Sequence, residues 1–173
     1  GDMAELHGNM FVNRCLIVGT DIINNRLYQE IREKRGMVYS VGMQWDPFYV
    51  AHAGLMSVSL QPFPDRLEES EERVKEVLRK VLDEGFSEQE FEEARAPIVQ
   101  EIRESLKTNA YWVGILEGCR SDGMQPKSLD SIRNIPELYL ELTSEEVLAV
   151  MREAMHGFED RLVVCTGISD KQY

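Results

Sequence analysis

The histidines and carboxylates of this chain are its candidates for holding a catalytic metal ion. His7, His52 and His156 are far apart, and none lies in an HExxH or HxxEH element, where two histidines on one helix face bind zinc. Glu153 and His156 are three residues apart on a predicted helix, which provides half a metal site at best. The sequence therefore predicts that the chain binds no metal and that Glu153 and His156 form a solvated surface pair.

Other catalytic motifs are absent, and the cysteines do not replace them. Neither GxGxxG, nor a phosphate-binding GxxxxGK[ST] loop, nor GxSxG occurs. Cys15, Cys119 and Cys165 are widely separated, without CxxC or zinc-knuckle spacing, and lie among leucine, isoleucine and valine. This setting predicts buried free thiols rather than a disulfide framework.

Composition limits the class of partner. The chain has 173 residues, 43% of them hydrophobic, which fits a single domain over residues 1–173. Its 31 acidic and 19 basic residues give a net charge of −12, which argues against nucleic acid or an anionic membrane as the main partner. The sequence contains no run of eighteen apolar residues that would predict a membrane span. The acidic surface fits a soluble protein.

Two helices are predicted before residue 36. The first covers residues 4–18, and Gly19 is predicted to break it. Thr20 or Asp21 can cap a second helix, which Gly36 ends after several cations suited to a helix C-terminus. The apolar stripes of the two helices are Leu6, Met10, Phe11 and Cys15 in the first, and Ile23, Leu27 and Ile31 in the second.

A β-hairpin is predicted next. The strands are Val38–Trp45 and Gly54–Leu60, with a turn at Asp46-Pro47. Apolar and serine residues alternate in the second strand, so one face should be buried and the other solvated. The predicted buried residues are Met56, Val58 and Leu60, opposite Ser57 and Ser59.

The second half of the chain is mostly helical. An apolar stripe from Leu67 to Leu82 predicts a helix that ends at Gly85, with an acidic, solvated outer face. A capping box, Ser87-Glu88-Gln89-Glu90, begins a helix towards Leu106, which Pro97 should kink or divide. The remaining predicted elements are an apolar segment at 110–119, a short segment at 128–134, a helix from Thr143 to Met155 and a buried strand at 161–166.

These elements predict an α+β fold, with helices layered on a mainly antiparallel sheet. Three strands make a thin sheet for so many helices. We therefore expect a further strand, supplied from beyond these residues, and an edge that is open or paired with another chain.

One segment resembles a known family. Residues 25–41 read NRLYQEIREKRGMVYSV. This is similar to a signature of the pitrilysin/insulinase family, in which a helix with Arg-Leu-aromatic-x-x-aliphatic-Arg-Glu-Lys-x-Gly leads into a strand with Tyr-Ser-Val. Residues 85–91, GFSEQEF, are similar to a second family turn, and the diffuse resemblance covers residues 4–168.

The resemblance implies that zinc binding and substrate binding belong to different halves of the enzyme. In this family two homologous halves enclose a chamber, and one half binds zinc through HxxEH. The other half contributes an arginine and a tyrosine seven residues apart, and Arg32 and Tyr39 occupy these positions. Arg32 would hold the backbone of a peptide substrate, and Tyr39 would donate to the oxyanion of the transition state. The family pattern also begins with a strand that is missing here, which implies an N-terminally truncated domain.

Both residues also have structural interpretations. Tyr39 has the same strand parity as the apolar residues that follow it, so it could be a core tyrosine. Arg32 could complement its helix C-terminus or pair with Glu30 or Glu33.

The favoured function is the substrate-binding half of a zinc metalloendopeptidase that cleaves peptides or small unfolded proteins. This chain alone should be inactive, since the zinc-bearing half lies elsewhere on the polypeptide or on a partner subunit. One alternative is a catalytically inactive, scaffolding member of the same family. Another is an acidic α+β interaction module with no enzymatic role.

Overall fold

The computed structural model describes residues 3–48, 53–118 and 132–167. These residues form seven α-helices and two strands, with a π-helical turn at Tyr28–Glu33 and a short 3-10 turn at Pro64–Arg66. In chain order the elements are α1 (Met3–Leu27), β1 (Val38–Phe48), β2 (Ala53–Pro62), α2 (Leu67–Glu84), α3 (Glu88–Ser105), α4 (Asn109–Gly118), α5 (Ile135–Leu140), α6 (Ser144–Ala154) and α7 (Phe158–Arg161).

Helix α1 is the centre of the domain. It contacts strand β1 as well as helices α2, α3 and α6. Its apolar face is almost fully buried, and the π-helical turn continues that face with Ile31, which is 0% exposed. The buried residues of this stripe are Cys15, Leu16, Val18, Ile22, Ile23, Leu27 and Ile31. The predicted face of Ile23, Leu27 and Ile31 is thus confirmed.

The predicted break at Gly19 is wrong, because α1 continues through it. Gly19 faces α6, and a Cβ added there would be only 2.3 Å from the sulfur of Met151. The missing side chain allows the two helices to approach each other. Thr20 is therefore a buried residue inside the helix, not a cap.

Strands β1 and β2 form the predicted antiparallel pair, and both are longer than predicted. Apolar residues of the two strands pack against the core, whereas Ser57 and Ser59 are exposed. The predicted turn at Asp46-Pro47 is wrong, since these residues pair with Leu55 and Gly54 inside the ladder. The connection between the strands lies outside the described residues.

The helix boundaries predicted at Gly85, Ser87 and Thr143 are confirmed. Helix α2 ends before Gly85, whose φ of +79° favours glycine. Ser87 and Glu90 form a complete capping box for α3, and Thr143 and Glu146 form another for α6.

Neither of two prolines interrupts a helix. Pro97 lies on the exposed side of α3, which continues through it without division. Pro136 lies in the first turn of α5, where a proline is favoured because the N–H it lacks has no partner within the helix.

The predicted buried strand at 161–166 is wrong. Arg161 ends α7, and residues 162–167 are exposed without regular secondary structure, with Val163 83% exposed. The described sheet contains only β1 and β2, and this segment pairs with neither of them.

The cysteines divide between two environments. Cys15 is a buried free thiol, as predicted, and burial raises its pKa to about 12. The prediction is wrong for Cys165, which is exposed because its segment does not join a sheet. Cys119, the last residue of the predicted segment at 110–119, lies outside the described residues, as do residues 128–131 of the segment predicted at 128–134.

The fold class is the predicted one. Helices are layered on an antiparallel hairpin, and one cluster of buried residues from both forms the core. The described part of the chain contains no helix long and apolar enough to cross a membrane.

Candidate functional site

Arg32 and Tyr39 lie on either side of one tight helix-to-strand turn. Arg32 belongs to the π-helical turn, which contacts β1, and Tyr39 is near the start of β1. Between them Gly36 adopts φ +57°, in the left-handed region. Its N–H donates to the Arg32 carbonyl at 3.0 Å, and the Met37 N–H donates to the Ile31 carbonyl at 3.2 Å. These bonds end the helix and direct the chain into the hairpin.

A β-bulge directs Tyr39 away from the core. Val38 pairs with Pro62 and Ser40 with Gln61, so Tyr39 is an extra residue between two consecutive pairs. Val38 is 4% exposed and Tyr39 is 63% exposed. The interpretation of Tyr39 as a core tyrosine is therefore wrong, because the bulge breaks the parity on which it was based.

The guanidinium of Arg32 is exposed and is not occupied by a carboxylate. Among the described residues Arg32 makes no ion pair, and Glu30 pairs instead with Lys34. The interpretation of Arg32 as the partner of Glu30 or Glu33 is thus wrong. Its position in the last turn still suits the helix C-terminus.

Each of the two side chains contacts an aromatic ring. The guanidinium carbon of Arg32 lies 5.1 Å from the centroid of the Tyr28 ring. The rings of Tyr39 and Phe63 have centroids 4.3 Å apart at an interplanar angle of 50°. Phe63 belongs to no motif of the sequence, and its only local signal is that it is an aromatic residue between Pro62 and Pro64.

The side chain of Asn24 joins α1 to β1 through two hydrogen bonds. Its side-chain amide donates to the Met43 carbonyl at 2.9 Å, and its oxygen accepts the Met43 N–H at 2.5 Å. Both backbone groups of Met43 therefore point away from β2 and are satisfied by one side chain. This role of Asn24 is not predictable from the sequence, because nothing in the local pattern links residues 19 positions apart.

Arg26 links the helix to the 85–91 turn. Its guanidinium donates to the two carboxylate oxygens of Glu90 at 2.6 and 3.1 Å and to the Gly85 carbonyl at 2.8 Å. This ion pair, with the Ser87 N–H and hydroxyl, holds the pKa of Glu90 down to about 2. The two segments that carry the family resemblance are thus in direct contact.

The described residues offer no metal site. They contain no group of three or more His, Cys, Asp or Glu side chains that could hold an ion. Glu153 and His156 are both exposed. The side chains of His7 and His52 lie outside the described part of the chain.

A protein-family model matches the first part of the chain. Residues 7–98, slightly more than half of the chain, match the model of the peptidase M16 inactive domain. The matched region contains the Arg32–Tyr39 turn and the 85–91 turn.

Named relatives are proteases of much greater length. The chain is 29% identical over 153 residues to the chloroplastic stromal processing peptidase of Pisum sativum, covering 88% of this chain but 12% of that protein. It is 34% identical over 94 residues to an uncharacterized zinc protease of Mycobacterium leprae, covering 54% of this chain and 21% of the other. The chain therefore spans a small part of the relatives it matches.

Solved structures share the fold. The peptidase M16 inactive domain from Pseudomonas fluorescens has a TM-score of 0.68 at 26% identity, covering 82% of this chain and 34% of that one. The periplasmic protease PqqL from Escherichia coli has a TM-score of 0.69 at 19% identity, covering 83% of this chain and 16% of that one. The family match, the named relatives and the shared fold agree with the resemblance at residues 25–41, and this chain belongs to the peptidase M16 (pitrilysin/insulinase) family of metallopeptidases, in which it corresponds to the inactive domain.

Proposed function

We propose that this chain is the substrate-binding half of a zinc metalloendopeptidase that cleaves peptides or small unfolded proteins. The observation that carries the proposal is the exposure of Arg32 and Tyr39 on either side of the Gly36 turn. Two exposed polar side chains on either side of one turn, neither paired with a carboxylate within the described residues, suit a polar ligand that arrives from outside the domain.

Arg32 is suited to the backbone of an extended peptide. Its guanidinium carries five N–H donors in a planar fork, and no ion pair within the described residues occupies them. Peptide carbonyls of a bound substrate would accept these hydrogen bonds. This contact holds the substrate before and during the reaction, so it should act mainly on binding.

Tyr39 is suited to the reacting carbonyl. A phenol O–H can donate to the oxygen that becomes negative when water attacks a peptide bond. The bulge that exposes 63% of the residue makes its hydroxyl accessible to such a ligand. The contact strengthens as charge develops, so it should act mainly on turnover.

The described residues offer no ligand set for zinc. We propose that an HxxEH element in a homologous half, on the same polypeptide or on a partner subunit, holds the ion. Zinc bound there would activate the attacking water. Arg32 and Tyr39 would contribute binding and electrostatic stabilisation only.

The test uses the full-length protein with any partner subunit that carries HxxEH. We expect hydrolysis of an unfolded polypeptide that stops when a chelator removes zinc and returns when zinc is restored. Substitution of Tyr39 by phenylalanine should lower turnover without changing the zinc content. Absence of HxxEH from both the polypeptide and its partners, together with no hydrolysis, would instead support the scaffolding member of the family.

A further inference from the structure

Tyr28 and Phe63 are the aromatic residues that contact Arg32 and Tyr39, respectively. Neither ring belongs to the main core. Tyr28 is 40% exposed and Phe63 is partly buried. Neither belongs to the buried cluster or to the partly buried hydrophobic residues that pack against it. What each ring does contact is one of the two proposed functional side chains.

Phe63 has a well-fixed backbone. Its N–H donates to the Met37 carbonyl at 3.1 Å, which ties the end of β2 to the turn that follows Arg32. Its φ and ψ of −63° and 145° are the extended values that a following proline favours, and Pro64 follows. Phe63 therefore presents its ring from a restrained position.

The Phe63 ring limits the freedom of Tyr39. A side chain that is 63% exposed would otherwise exchange among staggered rotamers. Contact at 4.3 Å between ring centroids favours the rotamer in which the two rings pack. A hydroxyl held in one place stabilises a developing charge better than one that must be ordered during the reaction.

The Tyr28 ring acts on Arg32 in a corresponding way. The guanidinium lies over the ring at 5.1 Å, a distance at which a cation and the face of an aromatic ring attract each other. Arginine has several rotatable bonds, and fixing them on binding costs conformational entropy. Contact with Tyr28 restricts these bonds before the substrate arrives.

We infer that Phe63 and Tyr28 are positioning residues, Phe63 for the hydroxyl of Tyr39 and Tyr28 for the guanidinium of Arg32. The inference rests on the proposed function and adds the residues that preorganise its two side chains. It predicts effects on different kinetic parameters, a lower kcat on loss of the Phe63 ring and a higher KM on loss of the Tyr28 ring, because one supports a transition-state contact and the other a binding contact.

The first experiment measures steady-state kinetics of the full-length enzyme with Phe63 replaced. Phe63→Leu removes the ring, and we expect kcat to fall on the order of 10-fold while KM changes by less than about 2-fold. Phe63→Tyr keeps a ring and should recover most of the lost turnover. Phe86→Leu is a matched control, since Phe86 packs against the core and its loss should lower Tm but not kcat.

The second experiment replaces Tyr28. Tyr28→Leu should raise KM about 3-fold with little change in kcat, since an exposed cation–π contact is weak. Tyr28→Phe keeps the ring face and should restore KM. If the Tyr28→Leu and Tyr28→Phe variants have the same KM, the positioning role of Tyr28 is refuted.

A double variant separates failure of the inference from failure of the proposed function. If Phe63 acts through the Tyr39 hydroxyl, Tyr39→Phe combined with Phe63→Leu should be no slower than Tyr39→Phe alone. Unchanged kinetics in Tyr39→Phe would overturn the proposed function itself. If Tyr39→Phe is slow but Phe63→Leu has a normal kcat, the proposed function stands and the positioning role of Phe63 is overturned.

Discussion

Arg26 and Glu90 form a two-point ion pair between the helix that leads to the candidate site and the turn that begins α3. The guanidinium donates to both carboxylate oxygens, at 2.6 and 3.1 Å, and also to the Gly85 carbonyl at 2.8 Å. Glu90 in turn accepts the N–H of Ser87 and completes the capping box of α3. One carboxylate thus stabilises a helix start and fixes the distance between two segments that are 64 positions apart.

This ion pair predicts a specific dependence of stability on pH. The pKa of Glu90 is lowered to about 2 in the folded protein, chiefly by Arg26, from an ordinary value of 4.5. A lowered carboxyl pKa stabilises the fold above pH 4.5, and this stabilisation is lost as the pH falls towards 2. The side chain is 34% exposed, so solvent screens the pair, and we expect Glu90→Gln to cost about 1–2 kcal/mol at pH 7.

Urea unfolding of wild type and Glu90→Gln between pH 7 and pH 3 measures this effect. The difference in the free energy of unfolding should narrow as the pH falls. Glu93→Gln is the control, because Glu93 is exposed on the same helix, and it should cost less than about 0.5 kcal/mol. A difference for Glu90→Gln that stays constant over this range would contradict the ion pair as its cause.

Tyr39→Phe should preserve the fold and reduce catalysis. Only a hydroxyl is lost from a residue that is 63% exposed, so Tm should stay within about 1 °C of wild type. Loss of one donor to an oxyanion typically lowers turnover on the order of 100-fold, which equals about 3 kcal/mol. Kinetics and melting curves of the full-length enzyme test this, and wild-type turnover would mean that Tyr39 is not a catalytic residue.

Arg32→Ala should weaken substrate binding. The guanidinium is proposed to hold the substrate backbone in both the ground state and the transition state, so KM should rise more than kcat falls. Two lost hydrogen bonds from a charged donor would raise KM about 10-fold or more. Arg35→Ala is the matched control, since Arg35 is an exposed arginine of the same turn and its loss should leave KM near wild type.

Asn24→Ala should destabilise the domain without altering any exposed residue of the candidate site. The substitution leaves both the N–H and the carbonyl of Met43 without the side-chain partner that now satisfies them. Unpaired, partly buried backbone groups cost about 1–3 kcal/mol. Chemical denaturation gives the value, and Asn25→Ala, at an exposed neighbouring position, should change stability by less than about 0.5 kcal/mol.

Gly19→Ala should be destabilising even though alanine favours helices. The helix propensity gains up to about 1 kcal/mol, but the added Cβ would lie 2.3 Å from the sulfur of Met151, and such overpacking costs about 1–3 kcal/mol. Gly114→Ala in α4 is the control, since a Cβ there meets nothing within 4 Å. Thermal melts should show opposite shifts for the two variants. A stabilised Gly19→Ala would mean that α6 can move away at little cost.

The sequence by itself determined the features that depend on local chemistry. Capping boxes at Ser87 and Thr143 and the left-handed glycines at 36 and 85 fix where helices begin and end, because the hydrogen bonds involved join residues a few positions apart. The stripe of Ile23, Leu27 and Ile31 likewise predicted a buried helix face, and alternation in β2 predicted which strand face packs, partly buried, against the core. The motif at residues 25–41 identified the family, which the comparisons confirm.

Tertiary structure decided the features that depend on distant residues. A glycine is accommodated inside α1 at position 19 because the Met151 side chain of α6 occupies the space of a Cβ, and no local pattern reveals that contact. A segment rich in valine at 162–167 remains exposed, since a strand is buried only when a partner strand pairs with it. The orientation of Tyr39 depends on a bulge, which is a property of the pairing between β1 and β2. One unpaired residue reverses the strand parity, and this reversal makes Tyr39 exposed instead of buried.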